Sequence, residues 1–176
     1  MSGLCTAFAA MFICWVASIL GKMALVDRAE DMTLGQSIAA CGGGLVAGLC
    51  SAFISSNWFS AVEGEVYAMS SFLTALVFWA ILKWEDHLND AENPRAQLYA
   101  DRWIVFIFYI MGLSIGVHLL NLLVIPAIIM VYYYNKYPVT TKNTILAFII
   151  GCAATGLLQF GIIQGIPILA GMFDVT

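Results

Sequence analysis

WIVFIFYIMGLSIGVHLLNLLVIPAIIMVYYY, Trp103 to Tyr134, is one unbroken apolar run of 32 residues. A single helical crossing of a bilayer needs about 20 residues, with a range to about 25. One tilted helix would also separate Lys136 and Lys142 from Arg95 and Arg102, on opposite sides of the membrane. Basic loops stay in the cytoplasm, so the charges demand that the chain return to the side it left. The run is therefore expected to fold as a short helical hairpin that turns between Gly112 and Asn121. A re-entrant hairpin is the variant of this idea, allowed only where protein or water covers the turn.

The same charge pattern holds across the whole chain. Lys22 and Arg28 follow the first apolar run, Leu4 to Leu20. Lys83, Arg95 and Arg102 fall in the middle gap, and Lys136 and Lys142 in the next. The remaining gaps carry Glu63 and Glu65, or Asp174, and no basic residue. Basic gaps are expected inside and acidic gaps outside. Further runs, Gly35 to Ser55, Val66 to Trp84 and Thr144 to Ile166, complete a count of about six transmembrane helices. The fold class is an all-α membrane protein, with residues 1–176 as a single transmembrane helical domain.

Composition agrees. The chain is 62% apolar and 10% charged, with mean hydropathy +0.92. Soluble domains run nearer half apolar and a quarter charged, so water is not the main solvent. The net charge of −4 and the lack of a basic stripe exclude nucleic acid as a partner. The five cysteines all lie in apolar runs and form no CxxC pair, which reads as packing rather than metal or disulfide chemistry. No basic residue precedes the first run, so it does not read as a signal peptide. Its basic flank, Lys22, lies behind it, which puts the N-terminus outside. An outside start with almost nothing ahead of it is expected of a piece of a longer chain.

Local signals refine the runs. Thr33 or Asp31 can cap the second helix. Gly44-x-x-x-Gly48 is a close-packing face, read here as packing inside the bundle. Asn57-Trp58-Phe59-Ser60 marks an interface, where the Trp ring sits at headgroup level. The segment Glu85 to Arg102, with Pro94, reads as a solvated cytoplasmic loop, His87 included.

Few polar residues need a chemical explanation. Glu63 and Glu65 are paired carboxylates at the outer boundary, suited to acid/base work. They equally suit a helix N-terminus, where carboxylates meet the positive end of the dipole. On one ideal helix they would diverge by about 200°. His118 is the one His inside an apolar run, and an ionisable group there usually faces a cavity. Asn121 lies one helical turn further on, and Gly112 and Gly116 share that spacing, so the four can form a groove for a polar headgroup. Interhelical hydrogen bonding is the competing explanation. No Ser-His-Asp order, HExxH, GxxxxGK[ST] or GxGxxG loop occurs, which leaves hydrolase, zincin and ATPase readings without support.

Two strings go beyond these patterns. One is Trp58-Phe59-Ser60-Ala61-Val62-Glu63-Gly64-Glu65-Val66-Tyr67-Ala68-Met69-Ser70. The other is Asp101-Arg102-Trp103 followed by Gly112-Leu113-Ser114-Ile115-Gly116-Val117-His118-Leu119-Leu120-Asn121-Leu122-Leu123 and Pro126. Together they resemble a bacterial membrane family related to the animal transmembrane protein O-mannosyltransferase, multi-pass glycosyltransferases of the GT-C class. The resemblance implies sugar transfer on the outer face of a bacterial inner membrane. The donor would be a sugar on polyprenyl phosphate, and the acceptor an exported protein or other exported molecule.

In that class the first outer loop holds the main catalytic carboxylate. This chain lacks that loop, so it looks like an internal fragment of a GT-C-like bundle whose partners include the rest of a longer chain. Glu63 and Glu65 match the family's Glu-x-Glu-Val-Tyr string in the second outer loop, which the resemblance makes a supporting wall of the site, and they are the catalytic candidates within this chain. Carried over residue by residue, the resemblance assigns Trp58, Tyr67, His118 and Asn121 to substrate binding, with His118 toward the lipid phosphate. The acidic rim could hold a divalent cation, but no metal-ligand set is assigned. A transporter or channel fragment is the alternative, since intramembrane His, Asn and Gln with Gly- and Pro-interrupted helices also suit a substrate pathway. A pathway would spread its polar residues through the membrane depth; a transferase would gather them at the outer edge.

Overall fold

The computed structural model describes residues 1–26, 32–63, 66–89 and 94–174. All regular structure among them is helical. Five helical stretches are long and apolar enough to cross a membrane: Ser2–Leu25, Leu34–Phe53, Val66–Leu88, Gln97–Ile115 and Thr141–Phe173. Their large apolar side chains point outward, as at Val105, Phe108, Ile149 and Phe160. An apolar surface this extensive is incompatible with water and fits lipid. The chain is an integral, multi-pass membrane protein. It comprises two compact units, Met1–Leu119 and Leu120–Thr176.

The first unit holds α1 (Ser2–Leu25), α2 (Leu34–Phe53), α3 (Ser55–Glu63), α4 (Val66–Leu88), α5 (Pro94–Tyr99) and α6 (Asp101–Ile115). Thr33 caps α2 in a capping box: its hydroxyl accepts from the Gln36 N–H, and its own N–H donates to Gln36 Oε1 at 2.9 Å. Asp31, the other cap candidate, lies outside the described residues. Small residues then let α2 lie against α1. A Cβ on Gly44 would come within 2.6 Å of the Cys14 carbonyl oxygen, and one on Gly48 within 3.1 Å of the Ala10 carbonyl oxygen. The Gly44–Gly48 face therefore packs inside the bundle.

α4 is the centre of this unit. Val77, Ala80, Ile81 and Trp84 are all buried along it. An aromatic seam joins it to α1: Phe8 meets Phe72, Trp15 meets Trp79, and Phe12 contacts both Phe72 and Trp79. On its other side Trp79 meets Trp103 at 5.6 Å and Tyr67 meets His118 at 5.1 Å. These contacts make α1 and α4 parallel and α4 and α6 antiparallel. The register has a charge consequence. Lys22, Lys83 and Arg102 collect at one end of the unit, and Trp58, Glu63 and Tyr67 at the other.

The second unit begins with a 3-10 turn, Leu119–Val124, which leads into α7 (Ile125–Lys136). Pro126 sits in the first turn of α7, where its missing N–H costs nothing. α8 (Thr141–Gly156) packs back on α7, with Gly151 so close to Pro126 that a Cβ would meet its Cα at 2.7 Å. The connection is held by Tyr133, whose hydroxyl donates to the Pro138 carbonyl at 3.0 Å and accepts from the Thr140 N–H at 3.1 Å. Lys136 and Lys142 flank that connection, at one end of the α7–α8 pair.

Several elements differ from the sequence expectation. The Asn57–Ser60 interface segment is the middle of a nine-residue helix, α3. The Glu85–Arg102 loop is helical at both ends: α4 continues to Leu88, and α5 starts at Pro94. His87 is half-buried there, its ring 5.6 Å from that of Trp103 and its Nδ1 2.8 Å from the Lys83 carbonyl. The last run does not end near Ile166. Pro167 crowds the carbonyl four residues back, and the helix widens into a π-helical segment, Leu157–Ile163, instead of stopping. The Gln164 N–H reaches the Gln159 carbonyl at 3.2 Å, and α9 (Gly165–Asp174) continues. The Trp103–Tyr134 run is broken as expected, into 15- and 12-residue helices.

Candidate functional site at the acidic end of the first unit

The site is built where α4 starts and α6 stops. Tyr67 is the second residue of α4, and its ring is about half exposed. α6 ends at Ile115, and the chain then curls tightly. The N–H groups of Val117 and His118 both donate to the Ser114 carbonyl, at 3.0 and 2.8 Å. That double bond to one acceptor fixes the half-buried His118 against Tyr67, with ring centroids 5.1 Å apart and planes inclined by 50°. An ionisable ring and a phenol are thus held together at the end of the unit away from its lysines.

One turn further in, the two helices bury Ser70 and Ser114, exposed by 1% and 0%. The contacts at Tyr67–His118 and Trp79–Trp103 set an antiparallel register that places these serines at the same level. Neither hydroxyl has a hydrogen-bond partner among the described residues. A helical Ser normally bonds the carbonyl one turn back, as Thr74 does with Ser70 at 2.9 Å. Leaving a buried hydroxyl unsatisfied costs about 1–3 kcal/mol. Two such groups, each about one turn in from the His–Tyr pair, are unused hydrogen-bonding capacity.

Glu63 is the last residue of α3, exposed, and makes no ion pair among the described residues. Glu65 lies outside the described residues, and with it the angle between the two carboxylates. Trp58 is also on α3 and stacks on Phe53 at 6.5 Å. With Thr6, Phe53 and Val62 it lines an apolar cavity of about 400 Å³ between α1, α2 and α3.

Asn121 lies in the 3-10 turn of the second unit, 1% exposed, with neither amide atom hydrogen-bonded among the described residues. The helical spacing expected of Gly112, Gly116, His118 and Asn121 does not hold, because the α-helix stops at Ile115. A Cβ on Gly112 would touch nothing. Among the described residues no three His, Cys, Asp or Glu side chains form a metal-ligating group. Sequence reasoning passed over Ser70 and Ser114, although both lie in the two quoted strings. Uncharged residues show their importance only once two helices put them on one level.

Fold and site together define a polytopic helical membrane protein with a His–Tyr ring pair and two buried serines toward the less basic end of its first unit. Residues 1–141 match the family described as protein O-mannosyl-transferase TMEM260 N-terminal domain, and the chain belongs to that family. Tyr67, Ser70, Ser114, His118 and Asn121 all fall inside the matched residues. No curated protein and no solved structure matches the chain.

Proposed function

We propose that the chain forms part of a membrane glycosyltransferase that moves a sugar, mannose by the family description, from polyprenyl phosphate to an exported acceptor. The membrane is a bacterial inner membrane, and the site opens on its outer face. The carrying observation is the Tyr67–His118 pair above two buried, unsatisfied serine hydroxyls. A lipid phosphate needs hydrogen-bond donors gathered at the membrane edge, and this end of the unit gathers them. The protein donors cost little reorganisation, because the α4–α6 packing already fixes them. The basic residues at the other end support the orientation.

In the proposed step a carboxylate, Glu63 or Glu65, takes the proton of the acceptor hydroxyl. The acceptor oxygen bonds to the sugar's anomeric carbon as the carbon–oxygen bond to phosphate breaks. The electron pair of that bond leaves with the polyprenyl phosphate, which Tyr67 and His118 stabilise by donated hydrogen bonds. Trp58 is assigned to binding, along the apolar cavity that suits an isoprenoid segment.

Sugar transfer in membranes containing the protein tests this reading. His118→Ala and Glu65→Gln should cut transfer per folded molecule while expression holds. Normal specific activity in both variants, with lowered expression or thermal stability, would assign these residues to packing instead.

A further inference from the structure

The opposite end of the first unit carries a second feature that the transfer reading does not use. A cavity of about 250 Å³ opens between the last turns of α1 and α4. Its polar lining is Lys22 from α1 with Lys83 and Asp86 from α4, and Ile19, Met23 and Leu82 supply apolar wall. Lys83 Nζ is 3.1 Å from Asp86 Oδ2. Lys22 is exposed and makes no ion pair among the described residues. Among the described residues the lining therefore carries one positive charge in excess.

We propose that this cavity binds the headgroup of a phospholipid with a single negative charge, a phosphodiester of the phosphatidylglycerol type. Lys22 and Lys83 together grip the phosphate, and Asp86 keeps Lys83 extended across the cavity. Two ammonium groups from different helices converge on one space, which a lone surface lysine does not do. The single excess charge matches a phosphodiester. A free phosphate or phosphomonoester carries nearly two charges at neutral pH and would meet Asp86 as a repulsive neighbour. The apolar wall fits a ligand with a greasy continuation, and anionic lipid is concentrated in the cytoplasmic leaflet, where the basic end of the bundle is placed by its lysines. The lipid would tie α1 to α4, helices already joined by the Phe12–Phe72 and Phe12–Trp79 contacts.

The test is lipid retention by the purified 176-residue chain, read by native mass spectrometry. Phosphatidylglycerol is compared with phosphatidylcholine of the same acyl chains, and inorganic phosphate is added as competitor. The expected preference for phosphatidylglycerol is about tenfold, as two lysines near one phosphate provide. Lys22→Gln should remove most of that preference without loss of fold, because Lys22 is exposed and makes no ion pair among the described residues. Lys83→Gln should do the same, and if that variant fails to fold, Lys22→Gln alone decides. Equal retention of the two lipids, or an unchanged preference in Lys22→Gln, would overturn the proposal. Displacement of the lipid by inorganic phosphate would overturn it too, in favour of a soluble phosphate ligand. None of these outcomes depends on whether the acidic end transfers sugar.

Discussion

Gly44→Ala adds a single methyl group, and the structure says where it goes. The new Cβ would lie 2.6 Å from the Cys14 carbonyl oxygen and 2.9 Å from the Ser18 nitrogen, both backbone atoms of α1. The Ser18 hydroxyl is closer still and is itself engaged with the Cys14 carbonyl at 2.8 Å. A carbon–oxygen contact relaxes at roughly 3.3 Å, so α2 would have to retreat by about 0.7 Å along this face. Overpacking of this kind costs about 1–3 kcal/mol. Gly43 is the control, because a Cβ there meets nothing within 4 Å. Alanine in a helix is favoured over glycine by up to about 1 kcal/mol, so Gly43→Ala should be neutral or mildly stabilising. The propensity gain is common to both variants, so the gap between them should be the overpacking cost, about 1–3 kcal/mol. Unfolding of the purified chain in mild detergent, titrated with a denaturing detergent, reads it directly. Adding Ser18→Ala to Gly44→Ala should restore only part of the loss, since the carbonyl clash remains. Equal stability of Gly44→Ala and Gly43→Ala would refute the close α1–α2 packing.

Ser70→Ala and Ser114→Ala should leave folding unharmed or raise stability by about 1 kcal/mol, because each removes an unsatisfied buried hydroxyl. Sugar transfer should nevertheless fall in both; unchanged transfer would show that the hydroxyls serve no ligand. Tyr133→Phe strands the Thr140 N–H and the Pro138 carbonyl and should cost about 1–3 kcal/mol in the same unfolding assay; no loss would discount the clip between α7 and α8. In a chain lacking its native cysteines, single cysteines replacing Glu30, Asp90 or Val139 should resist an impermeant thiol reagent in intact cells. One replacing Ala61 should label. Labelling at position 139 without position 90 would show that Trp103 to Tyr134 crosses only once.

Most of the helical plan was legible because bilayer thickness and the placement of lysine and arginine are strong, sparse constraints. The capping box at Thr33 and the Gly44–Gly48 face follow from backbone chemistry that one sequence displays. The break within Trp103–Tyr134 was legible from length alone. Its form was not, because a helix that ends at Ile115 in a tight curl destroys the spacing on which the His118–Asn121 pairing rested. α3 was hidden since nine residues with an exposed Trp58 and Phe59 carry no clear periodicity. The continuation past Pro167 was hidden for another reason: whether a helix breaks or widens at proline is settled by neighbours, not by the proline. The Tyr67–His118 contact joins residues 51 positions apart in sequence, and no local pattern announces such a pairing.

The proposed function requires that the Tyr67–His118 end of the first unit receive a polyprenyl-phosphate sugar. Photo-cross-linking with a diazirine-bearing polyprenyl-phosphate mannose, followed by peptide mapping, addresses it most directly. Saturable labelling is expected, confined to the peptides around Trp58–Ser70 and Ser114–Leu119 and lost when unlabelled donor is added in excess. Labelling spread over the apolar surface, or unaffected by competing donor, would contradict it.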